Sequence, residues 1–307
     1  MTTYALLIGV KEVDPTAYNN WNGKNGCEGC EIDVATMQGI LAKKSFDPKN
    51  ITPLLTQNAT RKNVLDALNK AAAICKPGDL FVFYYSGHGG QVKDVNGDEE
   101  DGQDETLVCY DGEVIDDQLN DAWKKFPEGA RIVAITDCCN SQSNFRAIPR
   151  GPVATFQPKS LTSKLVDADE MKAMMIHIGA CLDGKTAQGY KDGGLFTKTL
   201  KKILDQQFLG TYRMLVDTIL KRTNEHEQVA SYTEYGPTES QAFSRFRSGK
   251  IFTAAPMPSL RSTARSTVFG TERAPSNISA VKRRATETLP PNDDAIAKRT
   301  RFAGRTS

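Results

Sequence analysis

Short apolar segments that alternate with amphipathic ones are the feature of this sequence that most constrains its fold. Four apolar runs are continuous enough to form strands buried on both faces. They are Tyr4–Val10, Leu80–Tyr85, Arg131–Thr136 and Met174–Gly179. Between the runs, apolar residues at helical spacing predict helices, such as one over Cys30–Lys43 and one that begins after an N-cap at Thr60. This alternation predicts an α/β fold with a mostly parallel central sheet flanked by helices on both faces.

The C-terminal part of the chain differs in composition. From about Ala254 onward Pro, Ser, Thr, Arg and Lys dominate, and the apolar periodicity ends. Residues 254–307 hold ten Lys or Arg against four Asp or Glu, a net charge of +6, while the whole chain carries +2. Such a segment buries too little apolar surface to offset its ordering entropy. We therefore predict one folded domain over residues 1–253 and a basic, disordered tail over residues 254–307.

Composition and the N-terminus exclude several classes of protein. The near-neutral net charge predicts no strong attraction to nucleic acid. No apolar run reaches the roughly 20 residues that a membrane span requires, and the N-terminus lacks the pattern of a secretory signal. The seven cysteines are an odd number, which argues against a complete disulfide framework. These features predict a cytoplasmic protein with mostly free thiols and no membrane partner.

Two reactive side chains follow two of the predicted buried strands. His88 lies in the sequence Ser-Gly-His-Gly-Gly after Leu80–Tyr85, and Cys139 follows Arg131–Thr136. Because ligand sites of open α/β sheets form at the carboxyl ends of the strands, these side chains can converge although they are 51 positions apart. An imidazole beside a thiol can accept its proton and make it nucleophilic. The backbone N–H groups of Gly89 and Cys139 are candidate oxyanion donors.

Each of these motifs alone is weak. A histidine in a glycine-rich loop is commonly a turn residue, and a cysteine at a strand end is commonly a small core residue. Their joint occurrence after two buried strands is what favours a catalytic pair.

The same motifs, in the same order, resemble the metacaspases, caspase relatives found in bacteria, fungi, plants and protists. The resemblance spans about residues 4–253. It rests on Ala5–Val10, Gly29–Ala35, Phe81–Gly89, Asp98–Glu105, Ile115–Asp117, Asp137–Ser141 and Gly193–Thr197. It implies a caspase-like fold, a caspase-like peptidase domain over residues 1–253, and cysteine endopeptidase activity on proteins or peptides. It also implies that Cys139 is the nucleophile, His88 the base and Cys138 a neighbour of the nucleophile. Asn140, Ser141 and Gln142 depart from the His-Ser-Gly that usually follows the nucleophile in the family.

The resemblance further implies a preference for Arg or Lys as the substrate residue before the cleaved bond, the P1 residue. Asp33 and Asp137 match the acidic positions of the family's first specificity pocket. An aspartate there can bind a guanidinium with two hydrogen bonds and rejects an acidic side chain. Without the family, a solvated helix residue and a turn cap are the simpler interpretations of these two residues. Basic candidates for self-cleavage are Arg146, Arg150, Lys282–Arg284 and Lys298–Arg299.

An acidic segment suggests that calcium acts as an activator of the peptidase. The peptidase chemistry itself is expected to require no cofactor. Residues 94–105 hold seven carboxylates, the hard oxygen ligands that Ca²⁺ prefers. Glu99 stands where an EF-hand loop requires Gly, so we reject an EF-hand. By the resemblance to metacaspases, Asp104, Asp116 and Asp117 match aspartates that bind Ca²⁺. A merely solvated acidic loop is the alternative.

Several other functions stay open at this stage. The first is a peptidase of the same fold that cleaves after Asn or Asp. The second is an inactive caspase-like scaffold that binds a partner through its basic tail. A zinc site at Cys27 and Cys30 is a weaker alternative, because no second cysteine or histidine pair has ligand spacing. An activating protease or a regulatory partner also remains open.

Overall fold

The computed structural model describes residues 1–93, 103–139, 171–180, 189–223 and 228–253. Within these ranges the chain forms ten strands and six α-helices. The strands are β1 (Thr3–Gly9), β2 (Ile51–Leu55), β3 (Leu80–Lys93), β4 (Gln103–Cys109), β5 (Gly112–Ile115), β6 (Arg131–Cys139), β7 (Met174–Gly179), β8 (Gly189–Tyr190), β9 (Gly193–Gly194) and β10 (Ser231–Tyr235). The helices are α1 (Cys30–Lys43), α2 (Arg61–Ile74), α3 (Asp116–Trp123), α4 (Leu195–Asp205), α5 (Tyr212–Thr223) and α6 (Gln241–Arg247).

The central sheet has the strand order β10-β7-β6-β3-β1-β2. All of its pairs are parallel except β10 with β7 at one edge. The predicted mostly parallel sheet is therefore confirmed. Along β3, Phe81 and Phe83 pack on one face of the sheet, while Val82 and Tyr84 pack on the other. This alternation explains why the strand consists of consecutive apolar residues.

Helices cover both faces of the sheet, as the sequence predicts. The cluster that contains Phe81 and Phe83 includes the apolar side chains of α2 and α3. The opposite cluster includes those of α1, α4, α5 and α6. The bounds of α1 match the predicted ones, and the Thr60 side chain accepts a hydrogen bond from the backbone N–H of Asn63, 3.1 Å away, as an N-cap does.

The segments that carry His88 and Cys139 extend their strands, which corrects the expectation that both residues lie just beyond strand ends. β3 runs on to Lys93, and β6 includes Cys139. The reason is a change of partner. β3 pairs with β6 as far as His88, and from Gly89 it pairs with β4 in antiparallel orientation. The backbone hydrogen bonds of both segments are thus satisfied within a sheet.

The remaining strands and the last helix are short elements. β4 and β5 form a hairpin in which Thr106 pairs with Ile115. The two-residue strands β8 and β9, the edge strand β10 and the seven-residue α6 were not predicted, because such short segments carry little periodicity. No helix in the described ranges is long and apolar enough to cross a membrane. The predicted tail and the basic residues around Arg146 lie outside these ranges.

Candidate active site

His88 lies at the last position where β3 pairs with β6. Its side chain is buried, with 3% of its surface exposed. Its Nε2 atom is 2.8 Å from the backbone carbonyl oxygen of Gly23. Because a carbonyl oxygen only accepts hydrogen bonds, Nε2 carries the proton in the neutral ring, and Nδ1 is left with its lone pair. Nδ1 is buried and has no hydrogen-bond partner among the described residues.

The loop before α1 also restrains the imidazole ring. The Trp21 ring packs at a tilt against it, with 5.0 Å between the ring centroids. Burial lowers the pKa of His88 below its usual 6.5, while the Gly23 hydrogen bond and the charge of Glu28 act in the opposite direction. The neutral, proton-accepting form therefore dominates at neutral pH. Sequence reasoning missed both Gly23 and Trp21, although a lone tryptophan in an Asn- and Gly-rich loop was an available signal.

The Tyr85 side chain supports the backbone of His88. Its hydroxyl is 2.6 Å from the carbonyl oxygen of His88 and 2.8 Å from that of Val108. A Cβ atom at Gly87 would lie 2.4 Å from the same hydroxyl. Gly87 thus leaves the space in which Tyr85 holds the two strands in place.

The backbone of Cys139 lies directly opposite His88 in the sheet. The parallel register of β3 and β6 pairs these two residues, and Gly87 with Cys138. Paired positions of neighbouring strands lie about 4.8 Å apart. Gly89, the predicted oxyanion donor, is the next residue of β3 and pairs with Leu107 of β4. The topology therefore brings His88, Gly89 and Cys139 to one point of the sheet.

His177 of β7 is a buried histidine in a different environment. Its Nε2 atom is 3.0 Å from the Thr136 hydroxyl oxygen, and burial lowers its pKa to about 4. It pairs with Ala134, five residues before Cys139 along β6. His177 is therefore a residue of the sheet interior, and His88 is the histidine that the topology sets beside Cys139.

The first acidic residue, Asp33, is buried in the first turn of α1. Only 2% of its surface is exposed. The backbone N–H of Gly194 lies 2.9 Å and 3.0 Å from its two carboxylate oxygens, and the Ser86 hydroxyl donates to Oδ2 at 2.9 Å. The Lys198 ammonium contributes a favourable charge, although it pairs directly with Asp192 at 2.8 Å. Asp33 is thus held by donors from two separate strands, β3 and β9.

The second acidic residue, Asp137, lies on β6 two positions before Cys139. Its Oδ2 atom accepts hydrogen bonds from the Thr197 hydroxyl at 2.6 Å and from the Thr197 backbone N–H at 3.2 Å. Burial raises the pKa of Asp137 to about 6. Burial, reinforced by the charge of Asp137, raises the pKa of Asp33 to about 7. Burial and mutual repulsion make this pair costly to ionise in spite of the Lys198 charge, and a bound cation would offset part of that cost.

Both carboxylates line a small pocket that is open to solvent. Its wall consists of the N-terminal end of α1 and the hairpin of β8 and β9, which pack closely because of glycines. A Cβ atom at Gly29 would lie 2.3 Å from the carbonyl oxygen of Tyr190, and one at Gly193 would lie 2.5 Å from Asp33 Oδ1. The Lys198 ammonium lies 4.4 Å from the centre of the Tyr190 ring and steadies the hairpin. The two carboxylates at the base of the pocket are suitable acceptors for a positively charged group.

The residues expected to bind metals are placed as follows. Asp104 lies on β4, and Asp116 and Asp117 occupy the first turn of α3. Cys27 and Cys30 are buried, form no disulfide within the described residues, and line the acidic pocket. In the ranges that the structure describes, no three His, Cys, Asp or Glu side chains come together as a metal site. The carboxylates of residues 94–101 lie outside those ranges.

Comparison with known proteins finds a family model that matches the N-terminal part of the chain. Residues 4–147 match the family model of the metacaspase, peptidase C14 domain. Metacaspase-1 of Schizosaccharomyces pombe is 37% identical over 149 residues, which are 45% of this chain and 33% of that protein. Metacaspase-2 of Arabidopsis thaliana is 36% identical over 149 residues, 45% of this chain and 34% of that protein. The matches thus cover about a third of the length of these relatives.

A solved structure extends the similarity over more of the fold. The crystal structure of protein GSU0716 from Geobacter sulfurreducens superimposes with a TM-score of 0.67 at 31% sequence identity. The alignment covers 82% of this chain and 99% of that one. The α/β, caspase-like architecture is therefore confirmed.

Proposed function

Because residues 4–147 of this chain match the metacaspase, peptidase C14 domain model, we propose that it is a cysteine endopeptidase that cleaves proteins after Arg or Lys. Cys139 is the nucleophile and His88 the base. The observation that carries the proposal is the register that pairs His88 with Cys139, two residues beyond a buried carboxylate in an acidic pocket.

The hydrogen bonds of His88 support a specific proton path. Nε2 is held by the Gly23 carbonyl, so Nδ1 receives the proton of the Cys139 thiol. The thiolate attacks the carbonyl carbon of the P1 residue, and the backbone N–H of Gly89 stabilises the resulting oxyanion. His88 then returns the proton to the leaving amine. Water hydrolyses the thioester, and no cofactor takes part in this chemistry.

The acidic pocket supports the choice of basic over acidic P1 residues. Asp33 and Asp137 supply negative charge within a buried site, where an Asp side chain of a substrate would meet like charges. Cleavage after Asp, one of the alternatives, is disfavoured for this reason. An inactive scaffold is also disfavoured, because the His88 ring is held in one orientation with its Nδ1 lone pair free.

A panel of fluorogenic peptides with Arg, Lys, Gln, Asn or Asp at P1 tests the proposal. We expect turnover of the Arg and Lys peptides and a loss of at least about a thousandfold in Cys139→Ala, because the nucleophile is removed. Cys138→Ala is the matched control, since it removes the neighbouring buried thiol, and should stay within a fewfold of wild type. Activity that survives Cys139→Ala but not Cys138→Ala would contradict the assignment.

Regulation by calcium is a separate proposal, supported by the density of carboxylates between residues 94 and 117. We propose that Asp104, Asp116 and Asp117 contribute oxygen ligands for Ca²⁺ as an activator. The same peptide panel, measured with Ca²⁺ and with a chelator, tests this idea. Higher activity with Ca²⁺ is expected, and equal activity in both conditions would rule it out.

Proteolytic processing follows from the same specificity. We propose that Arg146, Arg150 and the basic clusters at residues 282–284 and 298–299 are cleaved by the enzyme itself or by an activating protease. Mass spectrometry of wild type and Cys139→Ala separates the two sources. Fragments common to both proteins would exclude self-cleavage.

A further inference from the structure

Thr197 in the first turn of α4 makes contacts that the proposed mechanism does not use. The residue is fully buried. Both its hydroxyl and its backbone N–H donate to a single oxygen of Asp137, Oδ2. Two donors from one rigid turn restrict the rotation of that carboxylate. The other oxygen, Oδ1, has no hydrogen-bond partner among the described residues, and Asp137 lines the acidic pocket.

A second buried hydroxyl sets the direction of the Thr197 hydrogen bond. The Tyr84 hydroxyl oxygen is 2.6 Å from Thr197 Oγ1. Thr197 has one hydroxyl hydrogen, which it donates in a hydrogen bond to the carboxylate of Asp137. The Tyr84 hydroxyl therefore donates its own hydrogen to Thr197 Oγ1. Complete burial keeps Tyr84 protonated, because it raises the pKa of that group well above its usual value. The chain of donors thus runs from Tyr84 on β3 through Thr197 to Asp137.

Asp33 is held differently. Its two oxygens already accept hydrogen bonds from the backbone N–H of Gly194 and from Ser86. Of the four carboxylate oxygens at the base of the pocket, Asp137 Oδ1 is the one without a donor in the described part of the chain. A basic side chain that enters the pocket finds its least occupied acceptor there.

We propose that Thr197, oriented by Tyr84, is a positioning residue for substrate recognition that holds Asp137 so that Oδ1 can bind the basic P1 side chain. The inference rests on the proposed function of the pocket. It assigns to the buried face of α4 a role in specificity and not only in packing. A purely structural Thr197 would affect the stability of the protein but not its discrimination among P1 residues.

Kinetics of Thr197→Val, which removes the hydroxyl at nearly constant volume, test the proposal. With active sites titrated, we expect KM for the Arg peptide to rise about tenfold, the equivalent of one charge-assisted hydrogen bond, and kcat to change less than about threefold. Thr197→Ser should restore the wild-type KM because it keeps the donor. Thr199→Val is the matched control, since Thr199 is a buried threonine of the same helix outside the pocket. It should leave both constants within about twofold.

The outcomes separate this inference from the proposed function. If wild type prefers Arg and Asp137→Asn abolishes that preference, an unchanged KM in Thr197→Val overturns the inference alone. If wild type shows no preference for basic P1 residues, the proposed pocket and the role of Thr197 both fail. If Thr197→Val does not fold, Tyr84→Phe tests the inference instead, because it removes the hydroxyl that donates to Thr197. A KM raised about threefold then supports the relay, and an unchanged KM overturns it.

Discussion

Two buried carboxyl groups, Asp33 and Asp137, have raised pKa values, and the cause of this shift also affects how the pair binds a cation. Burial removes the water that stabilises their charges, and the two groups repel each other. With pKa values of about 7 and about 6, the pair is partly protonated near neutral pH. Under the proposed function a cationic P1 side chain binds the ionised pair, so its binding is linked to the release of protons from the pair.

We predict that KM for an Arg peptide depends on pH in a way that kcat does not. As the pH falls from 8 to 5.5, the two carboxyl groups, with pKa values of about 7 and about 6, become protonated. KM should rise by about tenfold or more, one pKa unit being worth a factor of ten. In Asp33→Asn most of this dependence should vanish. A KM that is flat over this range in wild type would show that the pair is ionised throughout.

The same pair should make the empty protein less stable at high pH. A carboxyl group whose pKa is raised by folding contributes stability below its unfolded pKa of 3.8, and this contribution is lost as pH rises through 6 to 7. Thermal melts of Asp33→Asn should therefore exceed wild type at pH 8 by more than at pH 4. This comparison checks the pKa values without using substrate.

At the scale of elements, the hairpin of β8 and β9 closes the pocket by close backbone contact. Gly193 has a φ of +110°, a conformation that residues with a Cβ rarely adopt, and a Cβ there would lie 2.5 Å from Asp33 Oδ1. Gly29 and Gly189 likewise lie against backbone atoms. The hairpin therefore depends on glycine at defined positions.

We predict that Gly193→Ala impairs substrate binding more than it impairs folding. The added methyl group displaces the hairpin from Asp33, so KM for the Arg peptide should rise at least tenfold, while the free energy of unfolding falls by about 1–3 kcal/mol. Gly39→Ala is the control, because Gly39 is an exposed position of α1 where a Cβ meets no atom within 4 Å. That variant should leave KM unchanged and raise the free energy of unfolding by about 0.5–1 kcal/mol. Equal KM values in both variants would show that the hairpin does not form the pocket wall.

At the scale of the whole molecule, the last described residues complete the core. Ile251 and Phe252 are buried beneath α5, and the backbone N–H of Phe252 donates to the Tyr212 hydroxyl at 2.9 Å. The Arg131 guanidinium lies 3.4 Å from the carbonyl oxygen of Thr253. The chain is thus anchored to the sheet up to residue 253, where the basic composition begins.

We predict that a chain that ends at Thr253 keeps the melting temperature and the activity of the full chain. A chain that ends at Gly249 loses the burial of Ile251 and Phe252, which should reduce the free energy of unfolding by about 3–6 kcal/mol. Thermal melts and peptide turnover of the three proteins provide the comparison. A loss of stability on removing only residues 254–307 would contradict the predicted domain boundary.

Sequence patterns by themselves determined the secondary structure that depends on local periodicity. The bounds of α1 and β7 and the N-cap at Thr60 follow from apolar spacing and capping chemistry within a few residues of the chain. The proximity of His88 and Cys139 could also be predicted from the sequence, because parallel strands bring their carboxyl ends to one edge of the sheet.

Only the tertiary structure decided which groups surround these residues. The extension of β3 past His88 requires a change of partner from β6 to β4, and a single strand's composition does not specify its partners. The contact of Thr197 with Tyr84 joins residues 113 positions apart, and Gly194 reaches Asp33 across 161. Such contacts depend on how α4 packs on the sheet, which is set by the shape of the whole core and not by any local pattern.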